Sequence, residues 1–199
     1  IYRNGQIDTD EQGISFFNSG SGNIARWNTV YEQKGGPNDG VGIAIDTTPN
    51  QVIIEQNIVY NNSGHGLSIW NSKKGILRNN TSYGNSKNGI FVGGKDSAGA
   101  QVVNNIAVNN NGYQLSFQPD AVAGGGYLIS HNNFYKPGSQ KVLMFNDWTY
   151  SAAEFNAAYP GLSILQVDPI FVSPGNNFHL SSTSQCIDRG KNEGLSFLG

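Results

Sequence analysis

An asparagine recurs along the chain, each time after a short apolar stretch, with successive spacings of 29, 23, 25 and 28 residues. The five members are Asn28, Asn57, Asn80, Asn105 and Asn133. A repeat of this length with many turn residues and no helical stripe predicts a solenoid, in which each coil contacts only its neighbours. Because equivalent residues of stacked coils lie about 4.8 Å apart, the asparagines should form a hydrogen-bonded column with a structural role.

Each repeat also contains a short strand of alternating residues, which begins with glycine in four of the five cases. Side chains of a strand point alternately to its two faces, so one apolar pair per strand should point into the solenoid. These pairs are Ile14 and Phe16, Ile43 and Ile45, Leu67 and Ile69, Ile90 and Val92, and Leu115 and Phe117. Two or three such strands per coil predict a parallel β-helix of about five or six coils.

Composition and period exclude several other classes. Leucine-rich repeats need a regular leucine ladder, which is missing, and propeller blades need about 40–45 residues. Only 13% of the residues are charged, the net charge is −2, and no cluster of Lys and Arg exceeds two residues. This argues against binding to nucleic acid. No apolar run approaches the roughly 18 residues of a membrane-spanning helix, which argues against a membrane protein.

Two further features follow from the repeat. Tyr31, Tyr60 and Tyr83 occupy the same repeat position, which predicts a stacked aromatic row. Alternation leaves open whether this row faces the core or the solvent, and a structural role is favoured. Unequal coil lengths indicate long turns, which in repeat proteins often line the binding face. The long turns are residues 33–40, 93–99 and 119–126.

The two ends of the chain differ from the repeat. Residues 1–4 resemble the second half of a repeat, so we expect the first coil to be incomplete. A solenoid end needs a cover, which predicts upstream coils or a partner at this end. After Pro137 the repeat fades, and the Ser151 and Glu154 pair forms a capping box that predicts a short helix. We therefore divide the chain into β-helix coils at 1–145 and a C-terminal capping segment at 146–199.

The Gly-Ile strands followed by Asn-Asn turns resemble the right-handed parallel β-helix repeat family of the pectin-lyase-like superfamily. The tail is similar to the C-terminal closure of bacterial secreted members, in the motifs DPIFV at 168–172, NFHL at 177–180 and SQCIDRG at 184–190. The resemblance implies an all-β, right-handed parallel β-helix with an irregular C-terminal cap that contains a short helix. It also implies a secreted or cell-surface protein. The family includes polysaccharide lyases, epimerases, hydrolases, tailspikes and binding proteins, so fold does not decide the chemistry.

The residues that alternate with the inward pairs face outward and form the candidate site. Phe17, Asp46, Trp70 and Phe91 follow one another on this face. Aromatic rings stack on the faces of sugars, and polar groups fix a ligand's orientation. Phe17, Trp70 and Phe91 are therefore predicted to bind an acidic polysaccharide. His65 precedes one of the strands, and a turn position without a special role is expected for it.

Two enzymatic schemes use the charged residues of this face and of the turns beyond it. In a lyase-like scheme, Asp46 and Asp120 hold a Ca²⁺ ion that neutralises the substrate's uronate, and Lys95 abstracts the neighbouring proton. In a glycoside hydrolase scheme, two of Asp46, Asp120 and Asp147 act as acid and base. The alternatives are a non-catalytic polysaccharide-binding or cell-surface module, and a structural spike fragment that forms trimers.

Overall fold

Short strands follow one another around each coil of this computed structural model, which describes residues 1–4, 12–35 and 39–192. The first four coils contain three strands each, and a short helix, α1, enters the fifth. The strands of these coils are β1 Ile14–Phe17, β2 Asn23–Arg26, β3 Thr29–Tyr31, β4 Ile43–Asp46, β5 Val52–Glu55, β6 Ile58–Tyr60, β7 Leu67–Trp70, β8 Ile76–Arg78, β9 Thr81–Tyr83, β10 Ile90–Gly93, β11 Gln101–Val103, β12 Ile106–Val108, β13 Leu115–Phe117, β14 Leu128–Ser130 and β15 Asn133–Tyr135. The remaining elements are α1 Pro119–Gly124, β16 Leu143–Phe145, β17 Trp148–Tyr150, α2 Ala152–Ala158, β18 Phe171–Ser173 and β19 Asn177–Leu180.

The strands of successive coils pair into three parallel sheets. Sheet 1 has the order β1-β4-β7-β10-β13-β16, and β17 adds to its end in antiparallel pairing. Sheet 2 has the order β14-β11-β8-β5-β2, and sheet 3 the order β15-β12-β9-β6-β3. The register in sheet 1 places Ile43 opposite Leu67 and Ile45 opposite Ile69, all fully buried in the core. The predicted parallel β-helix is confirmed, with about five coils where five or six were predicted, together with the inward alternation of its strands.

The predicted asparagine column lies at the corner between sheets 2 and 3. Asn80 Oδ1 accepts from the backbone N–H and the side-chain amide of Asn57, both at 3.0 Å, and Asn80 in turn donates to Asn105. One member was wrongly placed. Asn105 donates to Asn132 at 2.8 and 3.1 Å, whereas Asn133 begins β15. Because the two asparagines are adjacent, the repeat alone could not decide which of them occupies the corner.

A second amide column, which the sequence did not reveal, lies at the corner after sheet 3. The backbone N–H of Asn62 donates to Asn85 Oδ1, and that of Asn85 donates to Asn110 Oδ1, each at 3.0 Å. Gln33 and Gln114 extend the column at its two ends. The side chains are buried, so each turn satisfies its polar groups through the next coil.

Hydroxyl groups replace amides at the third corner, after sheet 1. The backbone N–H of Thr48 donates to Ser72 Oγ at 2.9 Å, and that of Ser72 donates to Ser97 Oγ at 3.3 Å. The hydroxyls also donate to carbonyl oxygens at the strand ends, at 3.0 Å from Thr48 to Asp46 and 2.7 Å from Ser72 to Trp70. This column therefore fixes the backbone at the ends of β4 and β7.

The outer face of sheet 2 carries a buried carboxylate between two arginines. Arg26, Glu55 and Arg78 are aligned in register on β2, β5 and β8. Glu55 is 0% exposed, its Oε1 pairs with Arg26 Nη2, and its Oε2 accepts from Arg78 Nε at 2.7 Å. Arg78 is thus part of a structural ion triad on a different sheet from the candidate site.

The tyrosine row lies on the outer face of sheet 3 and is half-buried. Tyr31 and Tyr60 stack with their ring centroids 4.9 Å apart and their planes inclined by 7°. The row does not continue as a simple stack to Tyr83, because the ring of Phe178 packs against Tyr60 at 5.2 Å and against Tyr83 at 5.5 Å. The row therefore binds the C-terminal hairpin β18–β19 to the solenoid.

The segment after residue 145 has two roles. Helix α2 places Phe155 against Phe145, with ring centroids 5.4 Å apart, and so covers the last coil. The chain then turns back along the solenoid, where the Lys191 N–H donates to Asn104 Oδ1 at 2.8 Å. Residues 193–199 of the predicted capping segment lie outside the described residues.

The predicted capping box of α2 is present. Ser151 Oγ accepts from the Glu154 backbone N–H at 3.2 Å, and the Glu154 carboxylate accepts from the Ser151 N–H at 2.7 Å. We expect Ser151→Ala to lower the free energy of unfolding by about 1 kcal/mol, because the helix loses its N-cap. Urea denaturation followed by circular dichroism measures this loss. Ser139→Ala, in a turn outside any helix, is the control; an equal loss in both variants would contradict the capping role.

Candidate functional site

The outer face of sheet 1 carries a cavity of about 450 Å³ over the second and third coils. Its floor is formed by the small residues Ala44 and Ser68, and one side is formed by aromatic rings. The polar side chains that line it are Gln12, Asp39, Asp46, His65 and Lys87. Cavities of roughly 300–1,000 Å³ with a few convergent polar groups are typical of small-molecule sites.

Strand register explains how these residues come together. Phe17, Asp46 and Trp70 lie opposite one another on β1, β4 and β7, as the sequence predicted. Phe91 is in the neighbouring outward row, opposite Ser68, and the position next to Trp70 on β10 is Gly93. Asp46 is therefore flanked by aromatic residues on both neighbouring strands, each about 4.8 Å away along the backbone.

Three rings form what we call the ring wall, composed of His65, Phe91 and Trp70. The His65 and Phe91 centroids are 4.5 Å apart with a 9° angle between the planes, and those of Trp70 and Phe91 are 6.0 Å apart at 22°. His65 precedes β7 and Trp70 ends it, while Phe91 lies on β10 between them. The ring wall thus runs across the width of sheet 1, between the third and fourth coils.

Gly93 makes room for two members of the ring wall. A Cβ at this position would lie 2.8 Å from Phe91 Cζ and 3.0 Å from Trp70 Cζ3. Both distances are too short for unstrained contact, so any larger residue would displace the rings. The Trp70 ring leans over Gly93, its side chain is 43% exposed, and it lines the cavity.

A backbone hydrogen bond fixes the tautomer of His65. Its Nδ1 accepts a hydrogen bond from the Asn88 backbone N–H at 3.1 Å, so the proton of the neutral ring is on Nε2. Burial, followed by the positive charge of Lys87, lowers the pKa of His65 to about 4. At neutral pH the ring is therefore an uncharged hydrogen-bond donor and not a general base.

The lowered pKa of His65 makes the free energy of unfolding depend on pH. The unfolded chain takes up a proton on His65 below pH of about 6.5, whereas the folded protein does so only near pH 4. The contribution to stability is complete above pH of about 6.5 and is lost as the pH falls towards 4. We expect the wild type to lose more stability than His65→Gln between pH 7 and 5 in urea denaturation. An NMR titration midpoint of His65 near 6.5 would contradict this.

Sequence reasoning missed several polar residues of the cavity. Asp39 lies in the first long turn, 33–40, which was predicted to be near the binding face, although Asp39 was not singled out. His65 was expected to have no special role, and the structure places it in the ring wall. Lys87 carried no sequence signal. It is adjacent to His65 because its N–H donates to the Gly64 carbonyl of the previous coil at 3.1 Å.

The other predicted site residues do not line the cavity. Asp120 lies in the first turn of α1, where its carboxylate accepts from the Gly94 N–H at 3.0 Å and the Ala121 N–H at 2.8 Å. Lys95 is exposed in the turn after β10, and Asp147 is exposed in the turn between β16 and β17. The structure brings together Asp46, Trp70 and Phe91, with Phe17 beside them, but not Lys95 or Asp120.

A Ca²⁺ ion shared by Asp46 and Asp120 does not fit this geometry. Asp46 is two strands from Gly93, about 10 Å, and the Asp120 carboxylate is bound beyond it at Gly94. Ca²⁺ needs ligands at about 2.3–2.6 Å. Within residues 1–4, 12–35 and 39–192, no group of three or more His, Cys, Asp or Glu side chains could hold a metal ion.

The fold and the cavity define a parallel β-helix protein with a recessed site on the outer face of one sheet. Comparison with family models matches residues 1–158 to the right-handed beta helix region. The chain therefore belongs to the right-handed β-helix family. Searches of curated proteins and of solved structures gave no match. Among the described residues, no helix is long and apolar enough to cross a membrane.

Proposed function

We propose that this protein binds an acidic polysaccharide in the cavity on sheet 1. The observation that carries the proposal is the partly exposed Trp70, opposite Asp46 in strand register, with Lys87 lining the same cavity. An aromatic face packs against the apolar face of a sugar ring, and nearby polar groups fix the orientation of its hydroxyls. Such polymers are mostly extracellular, so the proposal includes secretion or a cell-surface location.

Lys87 is the group of the cavity that supports an anionic sugar. The Lys87 ammonium can pair with a uronate carboxylate, and the neutral His65 can donate a hydrogen bond from Nε2. Asp46 accepts a hydrogen bond from the Thr47 hydroxyl at 2.8 Å, which orients its carboxylate to accept from sugar hydroxyls. The cavity thus has one group for the carboxylate of the sugar and others for its hydroxyls.

Phe17 extends the binding surface towards the first coil. Its side chain is 67% exposed, and it lies in the same outward row as Asp46 and Trp70. Phe17 and Trp70 are separated by two strand spacings, about 10 Å. Two rings at this separation on either side of a carboxylate provide platforms for neighbouring sugar units of one chain.

Replacing Trp70 tests the proposal. We expect Trp70→Ala to weaken binding to polygalacturonate or alginate at least tenfold, measured by isothermal titration calorimetry, since the main platform is lost. The matched control is Trp148→Ala, because Trp148 is 70% exposed at the far end of sheet 1 and does not line the cavity. Equal affinity in all three proteins, or equal binding to neutral dextran, would refute the assignment.

Hydrolysis is a second candidate, favoured by two carboxylates, Asp39 and Asp46, that line one cavity. Glycoside hydrolases use such a pair as acid and base, or acid and nucleophile. If the protein cleaves the polymer in this way, new reducing ends should form without absorbance at 235 nm, and Asp46→Asn should abolish them while retaining binding. Absorbance at 235 nm would instead indicate lyase chemistry, and the absence of any product would leave a binding protein.

A further inference from the structure

The outward row at the floor of the cavity changes abruptly in residue size. Ser15, Ala44 and Ser68 follow one another on β1, β4 and β7, and the next residue in the row is Phe91 on β10. Because these side chains are small, the row leaves room for a groove along the solenoid axis, and Ala44 and Ser68 line the cavity. Phe91 fills the same position on the fourth coil, so the groove ends there.

The groove does not resume beyond Phe91. The next residue of the row is Ser116 on β13, whose hydroxyl accepts a hydrogen bond from the Gln118 amide at 3.0 Å. Among the residues that the structure describes, none that follows Phe91 in the chain lines the cavity. Helix α1 follows directly after Gln118 and occupies the turn on this side.

The ring wall closes the groove across its whole width. Phe91 has His65 stacked on one side, at 4.5 Å, and Trp70 on the other, at 6.0 Å. Gly93 lets the Trp70 ring lie down against β10 and so completes the closure. A polymer that runs along the axis from the first coil meets three packed rings at the fourth.

We propose that the cavity recognises the end of a polysaccharide chain and not an internal stretch of it, with Phe91 as the residue that determines this specificity. The inference rests on the proposed function, since it concerns the same site. One terminal sugar sits on the floor of Ala44 and Ser68 against the ring wall. The rest of the chain leaves past Phe17 towards the first coil.

A length series of one oligosaccharide tests the inference. An internal groove binds a longer chain in more registers, so its association constant per chain rises with length, whereas each chain has only one recognised end. With oligogalacturonates of 3 to about 12 units in calorimetry, we expect wild-type affinity per mole of chain to stay within twofold above the shortest lengths. An affinity that rises in proportion to chain length would overturn the inference.

Opening the ring wall should convert chain-end recognition, with its length-independent affinity, into binding whose affinity rises with chain length. Phe91→Ser continues the row of small residues, and we expect its affinity per chain to increase several-fold from the shortest to the longest oligomer. Phe17→Ser is the control: it removes a ring outside the wall, so affinity falls at every length with no new length dependence. Thermal denaturation checks that Phe91→Ser is folded, and the wild-type series tests the inference even if it is not.

These outcomes separate the inference from the proposed function. If no oligogalacturonate or polygalacturonate binds at any length, the proposed function fails. If binding occurs, is lost in Trp70→Ala, and grows with length in the wild type, the site is correct but chain-end recognition is wrong. Length-independent binding by Phe91→Ser would also count against Phe91 as the specificity residue.

Discussion

Replacing Asn80 by aspartate should cost about 4 kcal/mol or more of the free energy of unfolding, a large part of the roughly 5–15 kcal/mol typical of a folded domain. Asn80 is 1% exposed, and its amide donates to the Ile54 carbonyl at 2.9 Å and to Asn105 Oδ1 at 3.0 Å. Aspartate has nearly the same shape but no amide donor. The Ile54 carbonyl would therefore lose this donor, Asn105 Oδ1 would keep only the Asn80 backbone N–H, and a negative charge would face both oxygens.

The adjacent residue provides a matched control. Asn79 is only half-buried, in the turn itself, with a φ of 55° that both Asn and Asp tolerate. Asn79→Asp should therefore change the free energy of unfolding by less than about 1 kcal/mol. Urea denaturation of both variants gives the comparison. If Asn80→Asp is no less stable than Asn79→Asp, the buried amide column does not hold the corner.

Measuring the free energy of unfolding of Asn80→Asp at two pH values tests the contribution of the buried negative charge. Burial would raise the pKa of the introduced carboxyl group, because it disfavours the charged form. The extra loss in Asn80→Asp should therefore be larger at pH 7 than at pH 4, where the group takes up a proton and can again donate one hydrogen bond. Wild type and Asn79→Asp, measured at the same two pH values, account for the effect of His65.

The fold was predictable because its determinants are periodic. Strand alternation and the repeated asparagines depend only on local order along the chain, so the inward positions of Ile43 and Ile45 followed directly from the sequence. The error at Asn133 has the same origin. With Asn132 beside it, a shift of one residue preserves the pattern, and only the hydrogen bond from Asn105 selects between them.

The site was predictable only where it lies on strands. Asp46 and Trp70 were found because alternation turns them outward, and register then aligns them. The side chains of His65 and Lys87 come from turns, where no period fixes the direction of a side chain. They meet because Asn88, the residue after Lys87, lies 23 residues after His65 and donates to it from the next coil. The position of Asp120 could not be predicted for the same reason: its carboxylate accepts from the Gly94 N–H, away from the cavity.

Glu55→Gln should destabilise the protein by about 2–3 kcal/mol, because it removes the buried carboxylate that accepts charged hydrogen bonds from two arginines. The Glu55 side chain is 0% exposed, while those of Arg26 and Arg78 are 40% and 18% exposed. Without the carboxylate, two arginines on β2 and β8 lose their shared partner, and their like charges repel across β5. The neutral amide keeps the volume but cannot compensate either charge.

An exposed pair of the same type is the control. Arg3 pairs with Glu32 at 2.8 Å on the surface, with side-chain exposures of 63% and 38%. Solvent screens such a pair, so Glu32→Gln should leave the free energy of unfolding close to that of the wild type. Denaturant titration of both variants separates burial from charge. Similar losses in the two would mean that Glu55 is no more than another surface partner.

Measuring the net contribution of the triad to the free energy of unfolding requires a different variant. Breaking a buried ion pair measures the cost of an uncompensated charge, not the contribution of the pair itself, because its desolvation also disappears when all members are replaced. We therefore expect the triple variant Arg26→Met, Glu55→Leu and Arg78→Met to be more stable than Glu55→Gln and close to the wild type. A triple variant less stable than Glu55→Gln would instead show that the triad stabilises sheet 2 in absolute terms.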